Sequence, residues 1–190
     1  MIAIDTKSGK MLSYYQVVRR DLHDWDVSAA PVLISTKAGR KIVASANKDG
    51  LLTVMDRTAV KPSNEDISHT LQYLYSVPTT TRVNVDIPLN RERYTYFKPG
   101  VLGGSEWNGA AYSPDFDLIY VGTDDWGVSG ILHPLDSALM IQPIGSTWLG
   151  GSYKFDPSST AKGWLTAFNA KDGSVKWKFH AASPIIAGVT

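Results

Sequence analysis

One strand-turn-strand unit is written into this chain more than once, and that repetition limits the folds open to it more than any other feature. The first copy runs Ile2-Ala-Ile-Asp-Thr-Lys-Ser-Gly-Lys10 and returns as Met11-Leu-Ser-Tyr-Tyr-Gln16. The last runs from Trp164 through Ala167, Asn169 and Gly173 to Trp177 and Phe179. Setting Ala3 on Ala167 brings Asp5 to Asn169, Gly9 to Gly173 and Ser13 to Trp177. A weaker copy, Leu51 to Ala59, carries Asp56 in the Asp5 place and Val60 where the turn glycine would stand. Asp and Gly at these offsets make tight hairpins. A repeated short-strand unit with glycine and aromatic marks points to the blades of a β-propeller. Unrelated hairpins of a β-sandwich are the other reading of the same pattern.

Further strands are predicted at Pro31–Ser35, Lys41–Ala46, Asn108–Ser113, Leu118–Gly122 and Ile185–Val189. Together they make about three four-stranded blades. No long run places apolar residues at helical spacing. The expected fold class is all-β, a partial β-propeller. The expected organisation is one domain over residues 1–190 with insertions at about 61–100 and 124–163. Both insertions are polar, proline-bearing stretches of the kind that cover sites on rigid scaffolds. About three blades cannot close a ring, so the chain reads as a sector completed by the remainder of a larger propeller or as one piece of a multi-chain assembly, with closure by oligomerisation as the other reading.

Composition excludes several classes. With 43% hydrophobic and 19% charged residues the chain is ordered. A net charge of +1 and no basic stripe give no electrostatic case for nucleic acid. Apolar runs are short and broken by Gly or Pro, so no membrane span is expected, and no signal peptide is visible. There is no cysteine, hence no disulfide or thiolate metal site. A hydrolase lacks support: there is no Gly-x-Ser-x-Gly elbow, and His23, His69, His133 and His180 are scattered.

The densest chemistry lies in His23-Asp24-Trp25-Asp26, two residues after Asp21. Carboxylates at a strand entrance can bind a hard cation, and one held beside a metal or an aromatic can act as a general base. A solvated acidic loop capped by Trp25 is the plainer reading of the same residues.

Four motifs then line up in order: Ala-Ile-Asp-Thr-Lys-Ser-Gly-Lys at 3–10, His-Asp-Trp-Asp at 23–26, Asn-Lys-Asp-Gly at 47–50 running into Val-Met-Asp-Arg-Thr at 54–58, and Gly-Gly-Ser-Glu-Trp-Asn-Gly-Ala-Ala-Tyr-Ser-Pro at 103–114. In that order and spacing the chain resembles the pyrroloquinoline quinone (PQQ)-dependent alcohol dehydrogenases, the methanol/ethanol dehydrogenase-like quinoproteins. The C-terminal copy looks like that family's tryptophan-docking repeat, from which Ser13 departs in the first copy.

The resemblance implies a sector of an eight-bladed propeller with PQQ near its axis and Ca²⁺ on the quinone. It implies that Asp26 is the catalytic aspartate and a Ca²⁺ ligand, taking the alcohol proton while hydride goes to the quinone. Lys48 falls on the family's basic residue at the quinone, where a cation would stabilise negative charge on reduction; its plainer reading is a solvated turn lysine. Glu106 stands where relatives carry Asn, so an amide contact to the cofactor is in question, because an ionised Glu cannot donate. Trp107 is expected to line the cofactor cavity or to bridge two blades. The family's further Ca²⁺ ligands belong to blades outside this chain. A small alcohol substrate, a cytochrome c-type electron acceptor and a periplasmic location are implied in the same way. The competing expectation is a non-catalytic propeller serving as a protein-assembly scaffold, like the outer-membrane lipoprotein of the β-barrel insertion machinery.

Overall fold

The computed structural model describes residues 1–58, 71–134 and 150–190. β-Branched and aromatic runs bounded by Gly, Pro and Asp become thirteen strands among those residues, with one turn of 3-10 helix at Ser158–Thr160. β1 (Ile2–Ile4) and β2 (Met11–Tyr14) form a hairpin. β3 (Val32–Ser35), β4 (Lys41–Ala46), β5 (Leu51–Asp56) and β6 (Gln72–Pro78) form an antiparallel four-stranded sheet in sequence order. β8 (Ala111–Ser113), β9 (Leu118–Asp125), β12 (Lys162–Asn169) and β13 (Val175–Ala181) form a second. β7 (Thr95–Phe97), β10 (Val128–Leu132) and β11 (Gly151–Phe155) make a three-stranded accessory sheet.

The all-β class and the four-stranded antiparallel sheets are as expected. Among the described residues, two sheets are complete and the first unit is a hairpin. The remaining strands are accounted for by the stretches expected as insertions. Residues 72–78 supply the outer strand of the first sheet. Residues 95–97 pair with 128–132, so the two inserted stretches fold onto each other. The segment Ile185–Val189, expected as a strand, is not one. It follows Pro184, which lacks an N–H, and it crosses the end of β9 instead of running beside it. Ile185 N donates to Thr123 O at 3.2 Å, and its carbonyl accepts from Asn108 Nδ2 at 2.9 Å.

The sheets stack face to face. Ile34, Ile42, Leu52 and Val54 of the first pack on Ile119, Val121 and Phe168 of the second. Burying each such side chain contributes about 1.5–3 kcal/mol. The other face of the first sheet holds Val43 and Met55 against Met1 and Tyr15 of the first hairpin's surroundings. A third cluster of Trp25, Leu89, Phe97 and Val128 ties the 21–26 loop to the accessory sheet.

The repeated units superpose in detail. Ala3 faces Ser13, Ala167 faces Trp177 and Val54 faces Tyr75, and in each copy the register slips immediately after that residue. Gly9 N donates to Asp5 O at 2.9 Å, and Gly173 N donates to Asn169 O at 2.8 Å. The turn of the middle copy, with Val60, lies outside the described residues. Tyr75 therefore occupies the aromatic place of that copy. Its hydroxyl donates to Ala170 O at 2.9 Å in the neighbouring sheet's turn. Its ring covers Gly173, where an added Cβ would come to 2.7 Å, and Gly173 also has φ +74. Only glycine meets both demands.

Candidate active site

The His23–Asp26 segment is shaped by Asp21. Its carboxylate accepts the N–H groups of His23 at 2.8 Å and Trp25 at 2.7 Å. This turns the chain into an alternating in-and-out run, with Asp24 at φ +65, a conformation Asp tolerates. His23 and Trp25 point inward, their rings stacked at 4.3 Å and set edge-on to Phe97. Trp25 Nε1 donates to Gly100 O at 3.1 Å, and His23 Nε2 lies 3.2 Å from Ile87 O. Burial holds the His23 imidazole below its usual range. These two rings anchor the loop.

Asp24 and Asp26 point the other way, onto one ammonium. Lys48 Nζ donates to Asp26 Oδ1 at 2.8 Å and to Asp24 Oδ2 at 3.2 Å, and Glu106 Oε1 lies 3.7 Å from it. Lys48 sits in the turn between β4 and β5. Its side chain is 4% exposed, whereas those of Asp24 and Asp26 are 55% and 60% exposed. Burial alone would lower the Lys48 pKa. Hydrogen bonds to Asp26 and Asp24 outweigh it and raise the ammonium above its usual range. The 100–105 loop crosses directly over the lysine stem. Gly104 N donates to Lys48 O at 2.9 Å, and a Cβ at Gly103 would collide with Lys48. Lys48 is thus a buried cation aimed at three carboxyls, not a turn lysine in water.

Glu106 follows on that loop. Its N–H donates to Asn108 Oδ1 at 3.0 Å, and Ser28 Oγ donates to its carbonyl. Burial lifts the Glu106 carboxyl above its usual range; Lys48 opposes the shift while Asp26 and Asp24 add to it. Trp107 is 74% exposed, on the rim of a cavity of about 130 Å³. It lines that cavity with Leu102, Glu106, Asp124, Ile185 and Ile186, and the ring is not a bridge buried between sheets. Asp124 closes the inner end. It is 5% exposed, its N–H donates to Gly104 O at 2.7 Å, and its Oδ1 has no hydrogen-bond partner among the described residues. Burial, with neighbouring Asp125 adding to it, pushes the Asp124 carboxyl up to about 7. Asp125 differs. Burial would raise it, but Thr81 at 2.6 Å, Trp164 at 2.8 Å and Lys98 at 3.1 Å hold it below its usual range.

The fold thus brings Asp26, Lys48 and Glu106 together and puts Trp107 beside them. Asp24 belonged to the carboxylate cluster singled out in the sequence but had no role of its own there, and Asp124 was not expected at the site. The alternation in 23–26 was the available signal for Asp24, and a doubled carboxylate ending an apolar strand was the signal for Asp124. An open aromatic face next to a buried cation suits a planar, electron-poor ring, and in this respect a quinone fits. For a metal, the described residues include no group of three or more His, Asp or Glu placed to hold an ion. Asp24 and Asp26 are both engaged by Lys48, so the described residues do not build a metal site by themselves.

Stacked four-stranded antiparallel sheets are the architecture of a β-propeller sector. Residues 1–65 match the family described as PQQ: Glucose/ethanol/alcohol dehydrogenase, beta-propeller domain. The chain is 24% identical to the quinoprotein ethanol dehydrogenase of Pseudomonas aeruginosa, over 98% of this chain and 38% of that protein. It is 23% identical to the quinoprotein alcohol dehydrogenase PedH of Pseudomonas putida, over 97% of this chain and 39% of that protein. Among solved structures, a europium-containing methanol dehydrogenase superposes with a TM-score of 0.79 at 19% identity, covering 98% of this chain and 34% of that one. The chain therefore spans a little over a third of the curated relatives it matches. The resemblance to the PQQ-dependent alcohol dehydrogenases is borne out, in sequence and in fold.

Proposed function

We propose that this chain is a sector of a PQQ-dependent dehydrogenase that oxidises an alcohol or polyol. The observation that carries the reading is the convergence of Asp26, Lys48 and Glu106 from three separate loops at one point, beside the open face of Trp107. PQQ, when bound, supplies the carbonyl carbon that accepts hydride from the alcohol carbon. Asp26 takes the hydroxyl proton on a carboxylate oxygen. Lys48 holds its Oδ1, which fixes the direction in which the carboxylate faces. The same ammonium is the cation available to charge that grows nearby during the reaction. Glu106 and Trp107 line the cofactor side. Ca²⁺, if Asp26 contributes to its site, needs most of its six to eight oxygens from elsewhere. A cytochrome c-type acceptor and a periplasmic location belong to the same reading.

The test is dye-linked alcohol oxidation by the full protein supplied with PQQ and Ca²⁺, beside Asp26→Asn and Asp24→Asn. Loss of a general base lowers the rate by about 10²–10⁴-fold. Asp26→Asn is expected to show that loss with PQQ still bound, and Asp24→Asn a smaller one. No PQQ binding by the folded protein would favour the scaffold propeller instead.

A further inference from the structure

The 21–26 loop has a second side. Asp24 and Asp26 leave it toward Lys48, and His23 and Trp25 leave it the other way. On that other side lies a cavity of about 240 Å³ that the dehydrogenase reading does not use. Sites for drug-sized ligands run to about 300–1,000 Å³, so this one suits a smaller molecule.

Trp25 at 4% exposure and His23 at 6% are the most buried of its lining residues and form its floor. Their rings are stacked, 4.3 Å apart. His23 Nε2 faces the Ile87 carbonyl, which can only accept, so Nε2 carries the proton, and burial disfavours a second one. The floor is therefore aromatic and uncharged. Val18 and Val85, packed on the Trp25 cluster, are its walls. Leu22, 42% exposed, adds hydrocarbon at the mouth.

The rim carries the charge. Asp21 is already engaged, one oxygen accepting the N–H of His23 and the other that of Trp25. Behind it, Asp49 adds negative charge and Arg82 positive. Arg19, Arg20 and Asp86 line the cavity too, and their side chains make no ion pair or hydrogen bond among the described residues. Two unpaired guanidiniums thus stand against one free carboxylate. Arg20 is held at φ +51, a conformation costly for a long side chain, and backbone strain of that kind gathers at ligand sites. A guanidinium presents a planar fork of N–H donors that matches a carboxylate two bonds at a time. Stacked neutral rings flanked by valine methyls suit a flat apolar body. A small inorganic anion would meet the arginines and leave that floor bare.

We propose that this cavity binds a small aromatic carboxylate, its carboxylate on the Arg19 and Arg20 guanidiniums and its ring against His23, Trp25, Val18 and Val85. The site lies across the 21–26 loop from Lys48, needs no quinone and stands independently of the dehydrogenase reading.

Calorimetric titration of the folded full chain, free of PQQ, with benzoate, benzamide and benzamidinium varies charge at nearly constant shape. Saturable benzoate binding is expected, with benzamide and benzamidinium each at least about tenfold weaker, as befits a lost charge-assisted bidentate pair. Arg19→Gln and Arg20→Asn alter exposed residues and leave the floor intact, and Asn tolerates the positive φ. Each is expected to weaken benzoate several-fold, and the two together about tenfold or more. The His23 ring protons are expected to shift in NMR spectra as benzoate saturates, because the ligand ring lies against them. No saturable benzoate binding by the wild-type chain, benzamide or benzamidinium binding as tightly, affinity unchanged in the double arginine variant, or unmoved His23 signals would each overturn the proposal.

Discussion

Asp124→Asn should change how stability depends on pH. In the native state the Asp124 carboxyl titrates at about 7, against 3.8 for the unconstrained group. Between those values the native state holds a proton there that the unfolded chain has released. The slope of unfolding free energy with pH is proportional to protons bound in the unfolded state minus those in the native state, so here it is negative. Asp124's contribution is fully present below about pH 4 and is lost as pH rises through about 7. At about 1.4 kcal/mol per pKa unit, the shift of about three units sets a ceiling of about 4 kcal/mol. Relaxation and water entry in a real protein reduce this to about 1–3 kcal/mol. Asn has nearly the same shape and no titration. Urea unfolding of both proteins across about pH 4 to 8 gives a difference curve in which His23 and Asp49, which do not couple to Asp124, cancel. The variant should gain on the wild type by about 1–3 kcal/mol across that range, whatever fixed offset its buried amide adds. Parallel curves would show that Asp124 is not held protonated by burial.

Other perturbations test the scaffold. Lys48→Met removes a buried ammonium from three carboxyls; Asp24 and Asp26 can rehydrate, so a loss of about 1–3 kcal/mol is expected. Thermal unfolding reads that as a fall in Tm of about 2–4 °C per kcal/mol, and an unchanged Tm would sink the ion-pair account. Tyr75→Phe deletes the donor to Ala170 O between the two sheets and should cost about 1 kcal/mol in urea unfolding. Trp25→Ala empties the space against His23 and Phe97 and should cost about 3–5 kcal/mol in urea unfolding. Calorimetry of this chain with Ca²⁺ should show no tight binding, since the described residues build no metal site; a submicromolar site would contradict that.

Much of the fold could be read from sequence because it is local. Ala3, Asp5 and Gly9 specify a hairpin within a dozen residues, and Ala167, Asn169 and Gly173 specify the same one. The three register slips fall where the alignment of copies places them. What composition misjudged was non-local. The stretch at 61–100, expected as an insertion, holds β6, which pairs with β5 from before that stretch. The 95–97 segment has too little pattern of its own to be a strand and becomes one by pairing with β10. Ile185–Val189 has strand composition, but Pro184 and the approach to Gly122 carry it across a sheet end.

The candidate site divides the same way. Sequence alone determined which residue types were present and in what order: a carboxylate pair around a tryptophan, a lysine in a turn, a glycine pair before a glutamate. It could not determine that Lys48 is buried. That depends on Gly103 and Gly104 crossing its stem from about fifty-five residues away. Nor could it tell which carboxyls would be paired. Adjacent in the chain, Asp124 and Asp125 share nearly the same local context. Yet alternate residues of a strand face opposite ways, so Asp125 meets Lys98, Thr81 and Trp164 while Asp124 meets a desolvated cavity. Hydrogen-bonded hairpins are settled by neighbours in sequence; charge state is settled by neighbours in space, and only the tertiary structure supplies those.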